Sequence, residues 1–235
     1  MGSAAVTTSG STDFALTTDE IVEKAFNLLG VGSIGETLTA RHYEDGRLSL
    51  NLMVKSWATS EHLWLRTERS VTLVAAQTSY TLTPKPMRVI EVRRKVTASS
   101  IETPLTEWAR AQYIEMPNKT TASIPTAFYY DPQLAGGSLY IWPTASTSTA
   151  ADMTLVLTYW RTIEDFDTAA NNPDLPQEWL EAIVWNLAAA LIAEYPVNDP
   201  SVAGRIDRRA ALLLAQLQSF DTEPASLYLQ PDWQG

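Results

Sequence analysis

The chain has 235 residues, 45% hydrophobic and 19% charged, enough apolar material for one large domain or two small ones. It contains no cysteine, which excludes disulfides, thiolate metal sites and a cysteine nucleophile. The formal net charge of -10 argues against a protein whose main task is gripping phosphate backbones, while an acidic wall that duplex DNA slides past fits it.

Met1 to Thr12 are small and polar, with neither the basic start nor the apolar core of a signal peptide. Residues 1–16 read as a flexible arm. Thr17-Thr18-Asp19-Glu20 has the spacing of a capping box, and Ile21, Ala25 and Leu28 follow at helical spacing until Gly30 and Gly32 stop the helix. A second helix is predicted over about 39–60, with Leu50, Met53, Val54 and Trp57 sharing a face.

The period changes near residue 62. Strands are predicted over 63–75, Ser79–Thr83, Met87–Lys95, Ala127–Tyr130, Leu139–Trp142 and Met153–Trp160, with one short helix at about 105–114. The turn-rich links include Pro84-Lys85-Pro86, Gly136-Gly137 and the Ser/Thr/Ala run 144–151. This pattern predicts a small antiparallel sandwich or barrel.

Helix returns at Asp174-Leu175-Pro176-Gln177, read as a start with an aspartate cap and proline in the first turn. Leu180, Val184, Leu187 and Leu191 continue it until Pro196. The stretch Leu180–Tyr195 is too interrupted by polar residues for a membrane span, so the product reads as soluble, made in the cytosol and without a membrane partner. Asn198-Asp199-Pro200 starts a last helix, whose Ile206, Ala210, Leu213, Leu217 and Phe220 form a packing seam. Segment 221–235 has no period but carries Leu227, Tyr228, Leu229 and Trp233. The expected class is α+β. Helices at 17–61 and 172–220 build a bundle around an inserted antiparallel β domain at 62–171, and an extended C-terminal arm covers 221–235.

Chemistry-bearing motifs are scarce. His42 and His62 are twenty positions apart and match no metal motif; no cofactor site is predicted. Gly30-Val31-Gly32-Ser33-Ile34-Gly35 approaches a dinucleotide fingerprint, but its third glycine comes one place early and it follows a helix. The acids Glu164, Asp165, Asp167, Asp174, Glu178 and Glu181 include enough carboxylates for a glycosidase pair roughly 5–10 Å apart, yet they read more simply as a solvated loop or helix-start charge.

Two basic groups stand out. Lys85, Arg88, Arg93, Arg94 and Lys95 suit DNA contact, pairing with acids of a neighbouring subunit, or a charge-protected sheet edge. Strand alternation places Arg88 with Arg94, and Arg93 with Lys95 on the opposite face. Arg205, Arg208 and Arg209 form an arginine face on the last helix, suited to an acidic partner.

Several ordered strings carry a further signal. They are Leu52-Met53-Val54-Lys55-Ser56-Trp57, Val71-Thr72-Leu73-Val74-Ala75-Ala76-Gln77-Thr78-Ser79-Tyr80, Tyr113-Ile114-Glu115-Met116-Pro117-Asn118-Lys119, Pro125-Thr126-Ala127-Phe128-Tyr129-Tyr130-Asp131-Pro132, Leu139-Tyr140-Ile141-Trp142-Pro143, Leu157-Thr158-Tyr159-Trp160-Arg161 and Pro173-Asp174-Leu175-Pro176-Gln177-Glu178-Trp179. In this order they resemble the head-to-tail adaptor family of tailed phages, also called tail accessory factors, packaged-DNA stabilisation proteins or tubular tail proteins. The resemblance implies a non-enzymatic virion protein of the neck or tail. It forms a closed, typically dodecameric ring under the portal protein, continues the DNA channel with transient contact to passing duplex, and docks the next tail (nozzle or tube) protein. It also implies a C-terminal arm that clasps the portal, which makes Leu227, Tyr228, Leu229 and Trp233, with the arginine face, candidate portal contacts. The alternatives are a virion-associated peptidoglycan hydrolase using Glu164, Asp165 or Asp167, or another tail module such as a nozzle or stopper.

Overall fold

The structure, a computed structural model, describes residues 9–32, 37–60, 63–134 and 136–221. It is an α+β protein whose described residues form two compact units, one from those up to 60 together with those from 163 onward, the other from those between 61 and 162.

In the first unit, α1 (Thr18–Leu29) opens with the expected capping box. Glu20 N–H donates to Thr17 Oγ1 at 3.4 Å and Thr17 N–H donates to Glu20 Oε2 at 2.8 Å. The helix ends on Gly30, which takes the left-handed conformation (φ 80°) that glycine adopts without a Cβ penalty. Helix α2 (Ala40–Trp57) is capped by His42, whose Nδ1 accepts from Thr39 N–H at 3.2 Å. The imidazole ring lies 5.1 Å from that of Phe26 and 5.3 Å from that of Tyr195, so His42 fastens a helix end.

Helix α5 (Leu180–Leu191) is the most buried; Leu180, Ala182, Ile183, Leu187, Ala188 and Leu191 are all inside. Helices α1, α2 and α6 (Pro200–Phe220) all pack against it. Helix α6 starts as predicted, with Pro200 in the first turn and Asp199 accepting from Ser201 N–H at 2.8 Å.

The start of α5 differs from expectation. Pro176 is extended (φ -59°, ψ 151°), and the chain enters through a 3-10 turn at Gln177–Trp179. The cap position of that turn is Pro176, and Asp174, two residues earlier, accepts from Glu164 N–H through its Oδ2 at 3.2 Å. The segment 163–167 lies on the helical unit instead of extending the β segment to 171, because Ile163 and Phe166 are buried there. Asn51 of α2 holds it from both sides: its Oδ1 accepts from Phe166 N–H at 3.0 Å and its Nδ2 donates to the Phe166 carbonyl at 3.2 Å. Lys55 donates to the Ile163 carbonyl and pairs with Asp165 at 2.5 Å.

In the second unit, strands β1 (Arg66–Thr72), β10 (Met153–Trp160), β3 (Arg88–Val96) and β4 (Glu102–Pro104) form one antiparallel sheet in that order. The other sheet has the order β2 (Ser79–Leu82), β8 (Gly137–Trp142), β7 (Ala127–Pro132), β5 (Thr106–Glu107), with β5 parallel to β7. Both sheets contribute to one core that includes Val89, Val92, Leu155 and Leu157 from the first, and Tyr80, Leu82, Phe128, Leu139 and Ile141 from the second. This facing of two inner surfaces is the sandwich solution that alternating strands dictate.

The run 144–151, expected as a plain link, holds β9 (Thr144–Ala145, paired with β6, Ala122–Ser123) and the start of α4 (Thr147–Asp152). Ser146 caps α4 by accepting from Thr149 N–H at 3.2 Å, a role for which serine is well suited. The short helix α3 is Arg110–Glu115, shifted from the expected 105–114 because Thr106–Glu107 pair as β5. Among the described residues no helix is long and apolar enough to cross a membrane.

Candidate interaction surfaces

The basic cluster on β3 is reorganised by one bulge. The β3–β10 register shifts between Thr158 and Tyr159, so that Glu91 faces Thr158 while Val89 faces Tyr159. One residue, Ile90, is thereby left over, and the side-chain alternation changes phase. Arg88 consequently shares a face with Glu91, Arg93 and Lys95, while Arg94 points with Val89 and Val92 toward the core side. The expected pairing of Arg88 with Arg94 fails for this reason: strict alternation has no place for an inserted residue.

The outer face so formed is an ionic lattice. Arg93 Nη2 donates to Glu68 on the far side of β10 and to Thr158 Oγ1 at 3.1 Å. Its Nη1 lies 3.1 Å from Glu102, and its Nε lies 3.0 Å from Glu91 without hydrogen-bond alignment. Lys95 pairs with Glu102 at 3.4 Å. The hydrogen bond from Arg93, followed by its charge, holds the Glu68 carboxyl below its ordinary value. Arg94 Nη1 donates to the Pro125 carbonyl at 2.8 Å. Arg93, Arg94 and Lys95 thus have internal partners. Lys85 is half-buried and Arg88 exposed.

On α6, Ile206, Ala210 and Leu213 are buried as the seam predicts, but Leu217 is only half-buried and Phe220 is 80% exposed. The seam therefore runs past its packing partner. Leu213, Leu217 and Phe220, with Glu178 and Glu181, line an open depression of about 300 Å³. Arg209 donates to Glu181 at 2.7 Å. Arg205 and Arg208 are exposed beside Leu212 and make no ion pair among the described residues. Leu227, Tyr228, Leu229 and Trp233 lie outside the described residues.

The acids singled out by sequence do separate things. Asp165 pairs with Lys55, Asp174 accepts a backbone N–H, and Glu181 holds Arg209. Among the described residues no group of three or more histidines, cysteines and carboxylates is arranged to hold a metal ion.

Two surfaces escaped the sequence reading. Leu48 and Leu52 of α2 are 62% and 65% exposed, and with Asn51, Lys55, Asp165 and Asp167 they border a shallow depression of about 320 Å³. Their i, i+4 spacing is that of a packed face, but α2 buries Leu50 and Val54 instead. The second is aromatic. Tyr129 and Tyr140 stack at 5.8 Å on the outer face of the second sheet, Tyr113 of α3 covers them, and Trp108 stacks on Trp142 at 5.3 Å. No sequence period links these rings, because they meet only through strand pairing and a docked helix.

The model of the SU10 adaptor protein family matches residues 6–229. The chain belongs to the SU10 adaptor protein family. The resemblance to head-to-tail adaptors is thereby borne out. Among solved structures, a chain titled "Neck of empty GTA particle computed with C6 symmetry" is 15% identical, with 74% of this chain and 77% of that chain covered and a TM-score of 0.31. A second, from the virion of a native gene transfer agent particle, is 15% identical over 85% of this chain and 93% of that chain, with a TM-score of 0.32. Likenesses this remote carry no argument. The curated proteins contain no significant match.

For a member of an adaptor family, surface chemistry is what matters. The first unit offers an arginine pair, an apolar α2 stripe and an apolar depression at the end of α6. The second offers an ionic lattice and a ring cluster.

Proposed function

We propose that this chain is a non-enzymatic head-to-tail adaptor of a tailed-phage particle, located in the neck. Identical copies form a closed ring, a dodecamer, beneath the portal protein. The ring continues the DNA channel, retains packaged DNA and docks the next tail protein. The family match over residues 6–229 carries this reading. The net charge of -10 supports a wall that passing duplex does not stick to.

In this reading the helices of both chain ends work as one bundle, with the β unit inserted between them and residues 221–235 as an arm clasping the portal. Leu227, Tyr228, Leu229 and Trp233 are the arm's apolar anchors, an arrangement suited to ordering on a partner. The internal partners of Arg93, Arg94 and Lys95 favour a structural role for the β3 cluster over DNA contact. The test is co-sedimentation with purified portal rings. The full chain should bind and a chain ending at Asp221 should not, while both melt alike. Equal binding by the two would remove the arm from this account. Failure of the full chain to bind portal, or its absence from purified particles, would overturn the adaptor reading.

A further inference from the structure

The exposed faces of α2 and α6 are opposite in character. Helix α2 presents Leu48 and Leu52 along one stripe, with exposed Glu44 one turn before them. Asp167 lies beside this stripe, and neither Glu44 nor Asp167 makes an ion pair among the described residues. The cations nearby are engaged or half-buried: Arg41, at the start of the stripe, pairs with Asp45 at 3.5 Å, Lys55 is occupied by Asp165 and by the Ile163 carbonyl, and Arg47 is half-buried. Helix α6 presents Arg205, Arg208 and Leu212, 47% exposed at its centre. Asp207 falls off that stripe by the helical period. From Arg205 to Leu212 is about 10 Å of helix, and from Glu44 to Leu52 about 12 Å, so the two stripes match in length.

We infer that these two faces bind each other between copies: the α6 stripe of one chain seats on the α2 stripe of the next, Leu212 against Leu48 and Leu52, with Arg205 and Arg208 toward Glu44 and Asp167. The inference rests on the adaptor reading for its ring and takes the arginine face from the portal to the neighbouring copy. A second copy is the occupant because both halves of the contact are on this chain. Face-to-same-face pairing would oppose arginine to arginine or acid to acid, which is repulsive. The pairing is therefore heterologous, the type that builds rings when the rotation closes. In each copy both helices pack on α5, so every subunit offers one face of each kind.

The chain has no cysteine, so Leu52→Cys and Leu212→Cys each add a single thiol at an exposed position. Particles carrying the double variant are treated with a short bis-maleimide and run on a denaturing gel, with Leu134→Cys, 97% exposed, as the control site. A ladder of covalent multimers from the double variant alone supports the contact. A double variant present in particles yet monomeric on the gel overturns it and leaves the adaptor reading standing. If neither wild-type nor variant chain is found in particles, the adaptor reading falls, and concentrated mixtures of the single variants decide the contact. There, a product needing both variants supports it, whereas Leu212→Cys self-linking or no product overturns it. Arg205→Glu with Arg208→Glu on the Leu212→Cys chain should cut the mixed yield about tenfold, and Glu44→Lys with Asp167→Lys on its partner should restore it. Unchanged yield with the first pair would overturn the charge pairing.

Discussion

Gly46 of α2 and Val22 of α1 meet so closely that a Cβ built on Gly46 would lie 2.5 Å from Val22 Cγ1 and 3.3 Å from Phe26 Cε2. In a helix interior alanine is favoured over glycine by about 1 kcal/mol, so propensity alone would make Gly46→Ala stabilising. Overpacking a close helix contact costs about 1–3 kcal/mol, and Val22 and Phe26 are both fully buried. Gly46→Ala should therefore destabilise by about 1 kcal/mol net, read as a lower denaturation midpoint at unchanged slope. Val22→Ala in the same chain should recover part of the loss.

Acid should weaken the protein through carboxylates that the fold uses as acceptors. The Thr17 N–H holds Glu20 below the ordinary 4.5, the Arg93 hydrogen bond does the same for Glu68, and the Ser201 N–H holds Asp199 below 3.8. A depressed folded-state value means that the unfolded chain binds protons first. The stabilisation is complete above the ordinary carboxylate values and is lost as pH falls below them. Denaturation midpoints should be flat toward pH 5 and drop below it, and Glu68→Gln should flatten the drop. A Glu68→Gln profile parallel to wild type would show the lattice to be idle.

The alkaline limb has the opposite sign. Burial, then the Asp131 charge, pushes Tyr130 up from 10.0 to about 12, and its hydroxyl donates to the Pro86 carbonyl at 2.6 Å. Burial also raises Tyr80 and Tyr113. A raised folded-state value means that the folded chain keeps the proton longer. This stabilisation is full below pH 10 and is lost as pH rises toward 12. Tyr130→Phe should lose about 1 kcal/mol at neutral pH, the worth of one hydrogen bond, and show a shallower decline above pH 10.

Local chemistry made much of this fold legible. The Thr17–Glu20 box, the Gly30 stop, the Asp199-Pro200 start and the strand Met153–Trp160 follow from short-range rules about donors, φ angles and period. What was not legible depends on partners distant in sequence. The bulge at Ile90 shows only in the register with β10, and it decides which face each arginine takes. Asp174 sits among residues that suit a helix start, yet it also accepts the N–H of Glu164, ten residues away, which no local rule shows. The stripe Leu48–Leu52 has the spacing of a packed face and is exposed, because α2 buries Leu50 and Val54 instead.

Asn51 gives the sharpest case of such a distant partner. Its side-chain amide pairs with both backbone groups of Phe166, as a neighbouring strand would, and Phe166 itself is buried. Asn51→Ala leaves an N–H and a carbonyl unpaired at a part-buried site, a loss of about 1–3 kcal/mol. Asn51→Asp keeps an acceptor for the Phe166 N–H but sets a carboxylate against the Phe166 carbonyl, with the amide donor gone. It should be as damaging as alanine at neutral pH and less so once protonated, when its O–H can donate to that carbonyl. Denaturation midpoints of the two variants at pH 7 and pH 4 check this. Aspartate should close the gap to wild type at the lower pH and alanine should not. If the two stay equal at both, the segment 163–167 is held by the burial of Ile163 and Phe166 and by Lys55, and the amide bridge is incidental.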